Sequence, residues 1–307
     1  MMKKAFTMIE LIVVIAILGV LMGSMFFIFG DTESARATRC LSNLRNLAKA
    51  VQDARMDAAS GGNPGSYPLA GSVETFSINS KGSKTFSEYS GWINWNSRGT
   101  YGELDDDNKR TGSSHASSAG WFTSAYEQDL MTRLYCISKG SLFDYIKNYE
   151  VYVCPSHVKK MPKSLTPAWS YVMNGYFGFD KYEGSDAYTS APVEADVKYP
   201  HQTLLFAELQ WESYPEIEVK PDFSNGSGFK NDCTLQYEDD FGSEIIGFNH
   251  KDGNNVVAHI VFADGHIDKI VCPREGFSKN ALEDLTKFLC TGTPYEVIGG
   301  SVKEITD

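Results

Sequence analysis

The chain is short of basic residues, and that shortage excludes a partner class. Its 307 residues carry 28 Lys and Arg against 39 Asp and Glu, a formal net charge of −11. A nucleic-acid binder needs a dense basic face to displace counterions, so nucleic acid is not a default partner. Also missing is any C-x-x-C pair among the six cysteines, Cys40, Cys136, Cys154, Cys233, Cys272 and Cys290, which removes the usual redox and zinc-ribbon spacings. No G-x-S-x-G, H-E-x-x-H, Walker or G-x-G-x-x-G pattern stands in a supporting context. What is present is 42% hydrophobic residues, which excludes a wholly disordered or collagen-like chain. The mean hydropathy of −0.28 reads as soluble. That average hides an uneven distribution.

One further absence is local. From Leu11 to Phe29 (LIVVIAILGVLMGSMFFIF) there is no charged residue. A helix of that length rises roughly 28 Å, close to the hydrocarbon core of a bilayer. Lys3 and Lys4 precede it, and basic flanks stay cytoplasmic, so the remainder is expected outside. A cleaved secretory signal fits less well: the apolar run is too long, and Met25–Gly30 offers no A-x-A site. Glu10 sits at the edge of this run. A carboxylate costs roughly 2–4 kcal/mol there on insertion scales, so it is solvated at the interface or has a partner or a purpose.

Beyond Asp31, apolar or small residues recur at Ala37, Cys40, Leu41, Leu44, Leu47, Ala48, Val51 and Ala54. Spacings of three and four place them on one stripe of a helix. Arg36, Arg39, Arg45, Lys49 and Arg55 occupy much of the rest. We read one helix from Phe6, bent near Gly23 or Gly30, ended by Gly61-Gly62-Asn63-Pro64-Gly65. Ser72–Tyr89 supplies short strands, Gly102–Ser118 an exposed loop, and Ser141–Val153 a short helix running into a strand. Gln202–Glu208 reads as a buried strand. Val256–Val271 is the clearest hairpin, with Asp264-Gly265 as a two-residue turn that pairs Ala263 with His266. A helix over Ser278–Leu289 precedes a short tail. The fold class is α+β, a long N-terminal helix on an antiparallel sheet with long loops.

Several side chains are weighed as sites. Asp105-Asp106-Asp107-Asn108 invites calcium at Asp105 and Asp107, but lacks the glycine and distal glutamate of an EF-hand. A solvated acidic turn is the default. His250, Asp252, His259, Asp264, His266 and Asp268 form the densest set of ligand types. A zinc hydrolase needs three that converge. In the expected register, His259 and His266 stand about 13 Å apart along one face, and Asp264 is a turn residue. Metal at His250, Asp264 or His266 is therefore the alternative, and no cofactor or catalytic residue is expected. Glu208 and Glu212 form a carboxylate pair with no visible partner constellation. The 16 Tyr and 5 Trp suit core packing or a carbohydrate-binding platform. Six cysteines allow fifteen full pairings in an exported head. Cys136–Cys154 and Cys272–Cys290 are nearest in sequence, while Cys40 lies on the helical stripe.

The string Lys3-Lys4-Ala5-Phe6-Thr7-Met8-Ile9-Glu10-Leu11-Ile12 and its apolar continuation resemble the class III signal of type IV pilins and type II secretion pseudopilins. The resemblance implies a leader of residues 1–5 cut by prepilin peptidase between Ala5 and Phe6, where the family usually has Gly before the cut. It implies N-methylation of Phe6, a transmembrane and filament-core segment 6–30, an amphipathic half 31–60 and an extracytoplasmic head 61–307. Glu10 would pair with the Phe6 amine of a neighbouring subunit and set axial register. Further along, Ala37–Leu47 resembles the R-x-x-C-x-x-N-L-K-Q pattern of one pseudopilin-like group, seen in planctomycetes, verrucomicrobia and lentisphaerae. Val153–Ser156, Ser170–Gly175, Thr203–Glu208 and Phe262–His266 resemble its later blocks. That group carries H-x9-D-G; here His250 stands thirteen residues before Asp264. The implied function is a structural filament subunit polymerising with pilin-like partners on an inner-membrane assembly platform. The alternatives are a tethered glycan- or surface-binding module and a membrane-anchored hydrolase.

Overall fold

The computed structural model describes residues 8–28, 33–61, 65–71, 73–78, 84–89, 91–94, 134, 136–160, 169–178, 192–209, 234–235, 246–274 and 276–306. The apolar N-terminal run forms helix α1 (Met8–Ile28), with Met8, Ile9, Leu11 to Ile15, Ile17 and Leu18 exposed. Among the residues whose side chains are described, no helix is long and apolar enough to cross a membrane. The amphipathic segment forms α2 (Glu33–Ser60). The join expected near Gly30 falls outside the described residues, as do Ala5 and Phe6.

Helix α2 buries Cys40, Leu44, Leu47, Ala48 and Val51 as its stripe predicts. Two arginines outside that stripe, Arg36 and Arg55, are buried as well. Arg55 reaches the Glu194 carboxylate at 2.7 Å and the Gly65 carbonyl at 3.2 Å, with its guanidinium 4.2 Å from the Tyr67 ring centroid. Arg36 folds back onto Glu33 at 2.9 Å. Both keep their charge paired, which is what makes burial tolerable.

The head is built on a mixed sheet. Strands β1 (Val73–Ile78) and β2 (Lys84–Tyr89) make a separate hairpin. The main sheet contains β3 (Tyr171–Asn174), β4 (Leu204–Glu208), β5 (Thr234–Leu235), β6 (His250–Asp252), β7 (Asn255–Phe262) and β8 (Ile267–Val271). Its described pairs are antiparallel as expected, with one parallel pair, β3 with β5, at the edge. Strand β8 pairs β7 from Val257 to Val261, so β4 and β6 share the opposite edge of β7 end to end. The seam between β4 and β6 falls beside His259.

Alternation sends side chains to two cores. Tyr171, Met173, Phe206 and Val261 meet α2 with Trp92 and Tyr152. Val172, Leu204, Ala258, Ile260 and Phe262 meet Leu282, Leu285 and Leu289 of the C-terminal helix α5 (Lys279–Thr291). The sheet is thus a layer between two helices. Asn174 ties it to α5, donating to the carbonyls of Leu204 at 2.8 Å and Cys290 at 3.0 Å. Ser278 caps α5 by accepting the Ala281 amide at 3.2 Å. The short tail expected after α5 is a hairpin, β9 (Tyr295–Ile298) and β10 (Ser301–Glu304).

Two local expectations change. The segment before Cys154 has two short helical turns, α3 (Phe143–Ile146) and a 3-10 turn at Tyr149–Tyr152, and no strand. The β7–β8 turn has three residues rather than two. The Phe262 carbonyl accepts the Gly265 amide at 2.8 Å, the Phe262 amide donates to the His266 carbonyl at 3.0 Å, and Val261 faces Ile267. Gly265 at φ +89° supplies the left-handed third position of this loop. The register slips by one relative to the Asp-Gly turn, which changes every cross-strand partner.

Gly140 is the tightest test of the α2-side core. A Cβ there would lie 2.2 Å from the Trp92 carbonyl oxygen and 2.8 Å from Ile93 Cα. Both are backbone atoms, so Gly140→Ala is expected to cost about 1–3 kcal/mol by overpacking. An unchanged urea midpoint would remove that contact from the account.

Candidate functional site

Among the described residues, no strand pairs the edge of β7 beside His259 at the β4–β6 seam, and a carboxylate fills the place. Glu208, the last residue of β4, is fully buried, and its Oε2 accepts the His259 amide at 3.3 Å. Its Oε1 lies 2.7 Å from His250 Nε2, at the first residue of β6, and 3.5 Å from His259 Nδ1. The two imidazole centroids are 4.4 Å apart. The other ring nitrogen of His250, Nδ1, lies 3.0 Å from Glu33 Oε1 in the first turn of α2. That oxygen also accepts the Ser156 hydroxyl at 2.8 Å, while Glu33 Oε2 holds Arg36.

His250 is thus a buried imidazole between two carboxylates, and it favours the doubly protonated state. Burial lowers its pKa, but the Glu208 charge and the hydrogen bonds to Glu208 and Glu33 outweigh that, and the net shift is upward. Burial raises Glu208, yet the charge and hydrogen bonds of His250, with His259, bring it below the ordinary carboxyl value. Glu33 behaves alike: desolvation raises it, and Ser156, Arg36 and His250 bring it net downward.

A disulfide completes the cluster. Cys40 of α2 is bonded to Cys154, which immediately precedes helix α4 (Pro155–Lys160), across 114 residues of chain. Cys154 Sγ lies 3.5 Å from His250 Nε2. One ligand-type atom from each of Cys40, Cys154, Glu208 and His250 falls within 4.8 Å of the others, and all four residues are buried. Around the disulfide, α2 is held to the same segment by Asn43, whose side chain donates to the carbonyls of Glu150 at 3.1 Å and Val153 at 2.8 Å. Arg39 pairs with Glu150 nearby.

This arrangement rewrites the sequence reading in several places. Cys154 is joined to Cys40, so Cys136 is not its partner; α2 brings the stripe cysteine to it, and chain proximity does not decide. Cys290 keeps a free buried thiol, pushed up by burial, and is not bonded to Cys272. The acidic–histidine set splits. His250 is buried at the seam, whereas Asp264 and His266 sit exposed at the far tip of the β7–β8 hairpin, 2.6 Å apart, with His266 stacked on Phe262. Asp252 pairs with Lys269 instead of joining His250. Asp105 and Asp107 lie outside the described residues. Glu208, read as a carboxylate without a constellation, has one in His250 and His259. Glu33 was missed because it reads as an ordinary helix first-turn acid. Of the aromatic platform, the described tryptophans Trp92 and Trp169 are buried.

The family model for the prokaryotic N-terminal methylation motif matches residues 1–26. Neither a curated protein nor a solved structure matches the chain. The chain therefore carries a prepilin-type N-terminal signal, of the kind that implies processing by prepilin peptidase and pilin-type assembly.

Proposed function

We propose that this chain is a structural, non-enzymatic subunit of a type IV pilus-like or type II secretion pseudopilus filament. The observation that carries the reading is the methylation motif over residues 1–26, which runs through most of the apolar helix α1, with Glu10 in its first turn. Before assembly the α1 segment would anchor the chain in the inner membrane, N-terminus cytoplasmic, with the head on the other side. In a filament the same apolar surface would exchange lipid for neighbouring helices, and Glu10 would meet the Phe6 amine of the next subunit. Either charge is costly alone in an apolar medium, and together they favour one axial register.

Mass spectrometry of the protein from a peptidase-competent host should find an N-methylated Phe6 terminus. An intact Met1 terminus would sink the processing claim. Glu10→Ala should abolish filament incorporation and leave the head folded, and normal assembly of that variant would refute the register role.

A further inference from the structure

The disulfide at the seam has two further ligands aimed at it, which a structural disulfide does not need. We propose that Cys40, Cys154, His250 and Glu208 form a closed zinc site when the disulfide is reduced, so that the same groups lock α2 to the head by a covalent bond in one redox state and by a metal in the other. The donor set suits zinc: two soft sulfurs, one imidazole nitrogen and one carboxylate oxygen. All four atoms already lie within 4.8 Å of one another. Tetrahedral zinc, with bonds of about 2.3 Å to sulfur and about 2.0–2.2 Å to nitrogen and oxygen, asks for ligand separations of this order. Opening the S–S bond is the main movement required.

The surrounding shell points the same way. A metal-bound histidine characteristically donates its other ring N–H to a carboxylate, which fixes tautomer and orientation. His250 offers Nε2 to the cluster and Nδ1 to Glu33 at 3.0 Å. Glu33 is itself held by Ser156 and Arg36. The non-ligating Glu208 oxygen is occupied by the His259 amide. Every ligand is buried, which leaves no open coordination position of the kind catalysis uses.

The exchange balances with a dithiol as reductant. The dithiol gives two electrons and two protons and becomes a disulfide, and the protein S–S bond opens to two thiolates. Zinc then takes both thiolates, Glu208 and neutral His250, whose proton leaves. One zinc ion enters and three protons are released in all.

The test uses the full chain in detergent micelles, titrated with cobalt(II) and then zinc(II), before and after dithiothreitol treatment and its anaerobic removal. The reduced chain should bind one cobalt per chain, with thiolate-to-cobalt charge transfer and intense tetrahedral d–d bands that zinc abolishes. The oxidised chain should show neither. Cys154→Ser and His250→Ala should lose the bands, and Cys136→Ser should keep them. Glu33→Gln should keep the bands with affinity weakened about 10–100-fold. Fluorescence of buried Trp92 and Trp169 reports the fold separately. A reduced, folded chain without cobalt bands overturns the proposal, and so do bands that survive Cys154→Ser. A reduced chain that unfolds and is not refolded by zinc overturns it equally.

Discussion

Glu208→Ala is expected to destabilise the oxidised, metal-free head by about 3–5 kcal/mol, the cost of breaking a buried ion pair by removing one partner. The truncation leaves the His250 imidazole without its closest counter-charge, 2.7 Å away. It also leaves the His259 amide without the oxygen that replaces a ladder acceptor at the seam. Neither loss can be made good by water without opening the junction between β4 and β6. Replacing both Glu208 and His250 with neutral groups of similar shape should cost much less than the sum of the two single changes. What is expensive is the orphaned partner, and the pair's net contribution is smaller. Chemical denaturation in the presence of a chelator measures this, and a loss below about 1 kcal/mol for Glu208→Ala would remove the pair from the stability of the head.

The pair also sets a pH window. Because the folded pKa of His250 is raised above 6.5, its contribution is full below that value and fades as pH climbs through the higher folded one. Glu208 and Glu33 are shifted below 4.5, so their contribution is full above that value and fades as pH falls through the lower folded ones. The urea midpoint of the oxidised protein should therefore plateau between about pH 4.5 and 6.5 and fall on both sides. In Glu208→Ala the acid limb should flatten. A wild-type midpoint that stays level from pH 6 to 9 would contradict the charged state assigned to His250.

How much of this was legible in the sequence depends on the range over which each residue acts. The α2 stripe was readable because Cys40, Leu44, Leu47 and Val51 face one core at helical spacing, and such periodicity is local. The hairpin of β7 and β8 was readable too, but its register was not: Asp264-Gly265 suits both a two-residue and a three-residue loop, and the packing of Ile267 and Ile270 to opposite cores selects the longer one. The candidate site was the least legible. Its members come from the start of α2, the segment after Tyr152, the end of β4 and the start of β6, and only the seam on the edge of β7 brings them together. Glu208 and His250 were visible as residue types, yet nothing local says that 42 positions apart in sequence they share a proton. The disulfide shows the same limit, since ranking cysteines by closeness along the chain assumes that short loops close first, whereas here helix α2 delivers Cys40 to a partner at a sequence separation of 114.

Cys40→Ser combined with Cys154→Ser should be the other large perturbation, about 4–5 kcal/mol. The bond closes a loop with a sequence separation of 114, and in the chain-entropy model a loop on the order of 100 residues confers stability of that size by restricting the unfolded state. The mechanism predicts more than a lower midpoint. Without the cross-link the unfolded chain expands and exposes more surface, so the denaturant slope should rise while the midpoint falls. A loss of native packing alone would lower the midpoint at constant slope. The folded head should keep its architecture, because Asn43 still binds the Glu150 and Val153 carbonyls and Leu44, Leu47 and Val51 stay in their core. What should change is where opening begins. With the covalent lock gone, hydrogen exchange should quicken first in the N-terminal turns of α2, from Glu33 towards Cys40, a stretch that the Glu33–His250–Glu208 chain ties to the sheet. In a filament subunit that stretch would lie between the apolar helix α1 and the head, so loosening it should weaken the mechanical link between them before it unfolds the head. Uniform exchange along α2 in the double variant, or an unchanged midpoint, would show that the disulfide is incidental to how the helix is held.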